Sequence, residues 1–283
     1  MIDENGNKIE EPVSGDSDFA LAEMKFLMKG FECERDDSRA LVIVSALNGF
    51  LKAGGEVGAV KETLEELEKY SYESENNDFL WGLVYARRSV SEFFQEQGKA
   101  KDAAVSRHIG ARHFEKICKL RPSYYNFCCR IMEYVAAAKL YKNCLGQEIE
   151  AGRIFTYAEA LFGNLDESSE KIYLSAGQNL FLDKYLYLMK IRAEEEERYQ
   201  ALKRTVDFTR RLFLLERDSR NLKLLMASYI DYSRFKAYPV SPEEEDSLKN
   251  IIEWGNEAFL NGNTEIKDCL DKLKIRLRIL YGE

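Results

Sequence analysis

Two histidines, His108 and His113, stand five residues apart in the run SRHIGARH, and Cys118 follows at the same interval. Imidazole and thiolate are common zinc ligands, but a helical zinc site uses a four-residue spacing that puts both rings on one face. A step of five turns them to different sides, so solvated or hydrogen-bonded histidines fit this run better than a metal site. Asp and Glu number 49, and no pair of them is set apart as the acid and nucleophile of a glycosidase would be. No G-x-S-x-G, H-E-x-x-H, phosphate-binding glycine loop or dinucleotide fingerprint occurs. Gly54, Gly55 and Gly58 in AGGEVGAVK lack the preceding strand that a nucleotide site requires and read as a turn between helices. The six cysteines show no C-x-x-C spacing, and most lie in apolar helical patterns where a reduced thiol acts as a small core residue. These residues point away from catalysis and call for no metal or cofactor.

Sixteen tyrosines are a second chemical resource. Tyr124, Tyr125, Tyr134, Tyr141, Tyr157, Tyr173, Tyr185 and Tyr187 fall in the middle of the chain, where rings could stack on bases or grip peptide side chains. Filling the space between helices, with the hydroxyl reaching water, is the simpler use.

The elements that carry these residues are helices. With 45% hydrophobic and 12% aromatic residues the chain has the composition of an ordered domain, and apolar residues recur at helical spacing with little alternation of the strand kind. Residues 1–16, acidic and without an aromatic, read as a disordered leader. A first helix is expected over Ser17 to Lys29, stopped by Gly30. Five helical hairpins then follow, near 38–72, 78–122, 123–165, 166–218 and 219–262, with a terminal capping helix over 263–283, all in a single domain spanning 17–283. Ser38, Asn77 or Asp78, Ser123 and the Asp166–Ser169 cluster are candidate N-caps. Ser241 followed by Pro242 and Glu243 to Glu245 combines cap, first-turn proline and dipole complement. The run AEEEER reads as a solvated turn or another helix start. Gly54, Gly98, Gly146 and Gly262 mark turns.

Second helices end in related ways at Phe114, Tyr157, Thr209 and Gly255, stations 43, 52 and 46 residues apart, too regular for unrelated loops and too variable for a strict repeat, and such a run of helix pairs signals an α-solenoid. Within 78–122, Trp81, Leu83, Tyr85, Gly98, Ala104, Phe114 and Pro122 form a sequence of large apolar residue, tyrosine, turn glycine, small residue, aromatic and closing proline. Leu47, Gly49, Phe50, Gly54, Ala59 and Leu64 repeat part of it, with Asn48 interrupting the Leu-Gly step. The pattern resembles the tetratricopeptide repeat, although that family's unit spans about 34 residues and these are longer. The resemblance covers about residues 38–262 by period and implies an all-α, right-handed solenoid whose first helices line a concave face that binds peptides or protein segments. On those helices Trp81, Arg88 and Gln95 share one face; Asn126, Arg130 and Glu133 another; Ser175, Gln178 and Asn179 a third; Ser228, Asp231 and Arg234 a fourth. Trp81, Arg88, Gln95, Asn126, Arg130, Gln178, Asn179 and Arg234 are therefore the expected partner contacts, and reversing the charge of Arg88 and Arg130 is expected to remove partner capture without changing melting.

The sequence thus suggests a non-enzymatic scaffold or adaptor for a protein or peptide. Its formal net charge of -8 suits a basic partner and counts against nucleic acid as the main ligand. A ligand- or peptide-responsive regulator is the alternative, and an RNA-binding helical repeat stands further back. A polar, acidic start unlike a secretory signal, and the lack of an apolar run of about 20 residues, lead to the expectation of a soluble cytoplasmic protein.

Overall fold

A computed structural model describes residues 17–144 and 146–282, and the expected leader over 1–16 lies outside them. The described residues form α-helices and short turns, with no strand among them. They gather into two compact units, divided between residues 145 and 146.

The first unit holds α1 (Ser17–Cys33), α2 (Asp37–Lys52), α3 (Val57–Tyr70), α4 (Asn77–Glu96), α5 (Ala100–Leu120) and α6 (Tyr124–Lys142). Its starts are set by side-chain caps. Asp36 accepts from the Arg39 backbone N–H, Asn76 from that of Phe79 and Ser123 from that of Asn126, each satisfying a donor that the helix cannot. The cap of α2 is therefore Asp36, not Ser38, and that of α4 is Asn76. Gly30 does not end α1, which runs on to Cys33. Nothing lies near the position of a Cβ there, so the glycine serves no close packing.

Packing in this unit follows alternate as well as consecutive helices. α4 lies along α5 and α5 along α6, while α2 packs against α4. The core is built from residues such as Leu47, Phe79, Leu80, Leu83, Phe114 and Ile117, all inaccessible to water. At about 25 cal/mol per Å² of apolar surface this burial is the main favourable contribution to folding. Gly82 permits the approach of α2, since a Cβ on it would stand 2.6 Å from a Val44 methyl.

The second unit holds α7 (Glu148–Gly163), α8 (Lys171–Lys190), α9 (Glu195–Glu216), α10 (Ser219–Tyr232), α11 (Pro242–Leu260) and, after a short 3-10 turn at Thr264–Ile266, α12 (Lys267–Tyr281). The hairpin expected over 123–165 is thus divided, its first helix closing one unit and its second opening the other. The Ser241 cap with Pro242 in the first turn is present as the sequence indicated. The Asp166–Ser169 cluster instead precedes a helix start at Lys171 that has no side-chain cap. α8 packs on α9, α9 on α10, and α12 covers both α10 and α11. Phe162, Tyr173, Phe181 and Phe208 form a nest of rings with centroids 4.7 to 5.8 Å apart, and Gly177 leaves room for Phe208, whose ring would lie 2.6 Å from a Cβ.

One device recurs at helix ends. After α2, α4, α8 and α11 a residue with positive φ is followed by a backbone N–H that reaches five residues back: Gly55 to Phe50, Lys99 to Phe94, Ala193 to Leu188 and Asn263 to Ala258, at 2.8 to 3.0 Å. The left-handed residue is Gly54, Gly98 and Gly262 in three cases and Arg192, with φ of 55°, in the fourth.

Candidate functional site

The richest meeting of chemically distinct side chains lies on α4 and α6. Trp81, Tyr85, Arg88 and Glu92 follow one another at helical spacing along α4, and Tyr125, Cys129 and Glu133 do so along α6. The rings come together: Trp81 lies 5.7 Å from Tyr85 and 6.3 Å from Tyr125, with interplanar angles near 30°. Beneath them Phe114 of α5 meets Trp81 edge-on at 4.6 Å and fixes its tilt. Phe114 is fully buried, whereas Tyr125 is 51% exposed, so the strip has a rigid inner side and an accessible outer one.

An ion network borders the rings. Glu133, only 3% exposed, accepts from Arg88 Nε at 2.6 Å and from Arg107 Nη1 at 3.2 Å. Arg107 also approaches Glu92 within 3.5 Å, and the Arg88 guanidinium sits 5.2 Å over the Tyr85 ring. A carboxylate this deep is tolerated because two cations answer it. Burial pushes the Cys129 thiol up to about 11. The adjacent Cys129 sulfur and burial together push Tyr125 up to about 12. Both groups are therefore neutral hydrogen-bonding partners at ordinary pH and not nucleophiles.

Of the residues expected from sequence, Trp81 and Arg88 belong to this strip. Gln95 is exposed near the end of α4, its amide 3.4 Å from the Ser91 carbonyl. Asn126 is buried and donates to the Arg121 carbonyl at 2.8 Å, closing the C-terminal end of α5. Arg130 turns toward α5, where Nη2 meets Glu115 at 3.0 Å and the Tyr134 hydroxyl donates to the same oxygen at 2.6 Å. Burial raises the Glu115 carboxyl, but Tyr134 and Arg130 outweigh it and hold it below the usual carboxylate range. Asn126, Arg130 and Glu133 thus meet three different sets of neighbours. In the second unit Gln178 bridges Thr209 and Asn221, each at 3.2 Å. Asn179 donates to the Ser175 carbonyl and Arg234 to Asp231. Tyr85, Arg107 and Tyr125 are the members of the strip and its network that the seven-residue reading of α4 and the polar stripe of α6 passed over. The four-residue steps from Trp81 to Tyr85 and from Tyr125 to Cys129 are the signal that finds the two tyrosines, and Arg107, on α5, has no such signal.

The histidines stand apart from this strip. His113 Nε2 lies 3.6 Å from Glu68, which Arg87 grips with both nitrogens at 2.5 Å, and the His108 ring meets Tyr134 edge-on. No group of three or more His, Cys, Asp or Glu is placed to hold a metal ion among the described residues. No helix among them is long and apolar enough to cross a membrane.

The second unit has a cleft of about 350 Å³ between α7, α8 and α9. Glu159 pairs there with Lys184 and, at 3.0 Å, with Arg204, whose guanidinium covers the Phe181 ring at 4.3 Å. Comparison with protein families, curated proteins and solved structures finds no match for this chain.

Proposed function

We propose that the chain is a non-enzymatic scaffold of the tetratricopeptide-like kind, a right-handed α-solenoid that holds a peptide segment of a partner protein along α4 and α6. The observation that carries this reading is the strip of Trp81, Tyr85 and Tyr125, backed by buried Phe114 and bordered by the paired Arg88 and Glu133. Rigid aromatic anchors beside a satisfied charge network supply contact area at low entropic cost, as peptide-recognition surfaces require. The packing of α2 against α4 across α3, and of α10 against α12 across α11, supports stacked hairpins. Left-handed residues at 54, 98, 146 and 192 stand 44, 48 and 46 residues apart, which supports a repeat over that stretch, and those at 217, 262 and 282 depart from it. Binding is favoured over catalysis because the thiol and phenol at the strip are held far above working pH and Glu133 is fully paired.

Display selection of random peptides against the wild type, counter-selected against Tyr125→Ala, tests the reading. Enriched peptides that bind the wild type alone support it, and enrichment insensitive to Tyr125 overturns it. The cleft beside Glu159 favours a second reading, a small-ligand-responsive regulator, because its volume falls at the lower end of the range for such sites. Thermal stabilisation by a metabolite, lost in Arg204→Ala, would select that reading.

A further inference from the structure

We infer that the outward face of α5 is a docking surface for an acidic protein segment, separate from the aromatic strip. Residues 77–144 contain twelve Lys and Arg against six Asp and Glu, in a chain whose formal net charge is -8. Residues 77–144 are thus a net basic segment of an acidic chain. Much of it is answered internally: Arg87 by Glu68, Arg88 and Arg107 by Glu133, Arg130 by Glu115.

Three exposed cations of α5 lie on one line. Lys101, Val105, His108, Arg112 and Lys119 follow at steps of three, four and seven, which keeps them within one narrow stripe of a helix. Lys101, Arg112 and Lys119 are exposed and have no ion pair among the described residues, although Arg112 contributes to the positive field at Glu115. Lys116 falls on the same side but is turned inward, donating to the carbonyls of Ser71 and Tyr72 at 2.7 and 2.9 Å. Val105, 39% exposed, gives the stripe an apolar contact near its start. At 1.5 Å per residue the line from Lys101 to Lys119 is about 27 Å long, which matches about eight residues of extended chain.

An acidic peptide fits this surface better than a nucleic acid does. A polyphosphate backbone continuing past the stripe would meet the rest of the same unit, where residues 17–76 carry thirteen Asp and Glu against seven Lys and Arg. A short acidic segment ends where the stripe ends. Attraction of this kind governs encounter rate and partner choice more than it governs ultimate affinity.

The test uses the full chain and a fluorescein-labelled decaglutamate peptide, read by fluorescence anisotropy at low salt. Lys101→Glu, Arg112→Glu and Lys119→Glu together should weaken binding by roughly tenfold or more, the glutamine versions less, with far-ultraviolet dichroism unchanged. Lys203→Glu with Lys267→Glu, exposed lysines of the second unit, should leave it unaltered. Failure of decaglutamate to bind, or equal binding by the triple variant, overturns the proposal. Tighter binding of a ten-residue oligothymidine than of decaglutamate at the same ionic strength overturns it in favour of a nucleic-acid surface.

Discussion

Arg88 of α4 donates from Nε to Glu133 of α6 at 2.6 Å, so an ion pair ties two helices separated in sequence by the whole of α5. Arg107 of α5 meets the same carboxylate. One acid therefore fixes the mutual position of three helices, and with it the separation of Trp81 from Tyr125.

This relationship makes the strip sensitive to Glu133. Glu133→Ala leaves two half-buried guanidinium groups without their carboxylate and should cost about 3 kcal/mol in chemical denaturation. Reversing Arg88 and Arg130 together, expected from sequence to spare melting, should instead lower the melting temperature, because each is the partner of a carboxylate within the packed unit. Unchanged melting in that double variant would show the pairs to be energetically idle.

The left-handed stops give a prediction of opposite sign at equivalent positions. Arg192 holds φ of 55° where Gly54 and Gly98 hold 83° and 71°. A side chain in that conformation costs roughly 1 kcal/mol. Arg192→Gly should stabilise the protein by about that amount and Gly98→Ala destabilise it by a similar amount, measured by urea unfolding. Destabilisation by Arg192→Gly would mean that the arginine side chain contributes more than its backbone costs.

Alkali should act through buried phenols of the second unit. Tyr229, Tyr232 and Tyr238 enclose one another with ring centroids 5.2 to 6.4 Å apart, and Tyr229 donates to the Glu244 carboxylate. Burial first, and neighbouring hydroxyl and carboxyl groups next, raise all three above the ordinary tyrosine value. The unfolded chain then loses these protons from about pH 10, before the folded one does. Their stabilising contribution is full below that pH and is lost as pH rises above it. Tyrosinate absorbance should include a component that appears together with the loss of helix. Complete tyrosine ionisation while helicity persists would contradict the burial of this cluster.

Helix identity was legible from apolar spacing, and boundaries were legible where one residue type has one physical use. Ser123, Ser241 with Pro242, Gly98 and Gly262 are such places. Boundaries failed where two residues compete for one role: Asp36 displaced Ser38 because its carboxylate reaches the Arg39 N–H at 2.9 Å. Gly30 misled because glycine also occurs inside exposed helices at a cost of only about 1 kcal/mol. For the site, spacing put Trp81 and Arg88 on one face but could not say which neighbouring helix each polar residue of α6 would meet. Asn126, Arg130 and Glu133 differ by small rotations about the axis, and those rotations send them to the Arg121 carbonyl, to Glu115 and to Arg88. Such assignments depend on crossing geometry, which a single helix does not encode.

The most direct test uses the two tryptophans, one in each unit. Trp81 lies in the aromatic strip, whereas Trp254 packs on Phe213 at 5.1 Å beside Arg217. In nitrogen-edited NMR spectra, titration with a selected peptide should shift the Trp81 indole signal saturably, leave the Trp254 signal in place, and produce neither shift in Tyr125→Ala. A saturable shift confined to Trp254, or a Trp81 shift that survives Tyr125→Ala unchanged, would contradict peptide recognition along α4 and α6.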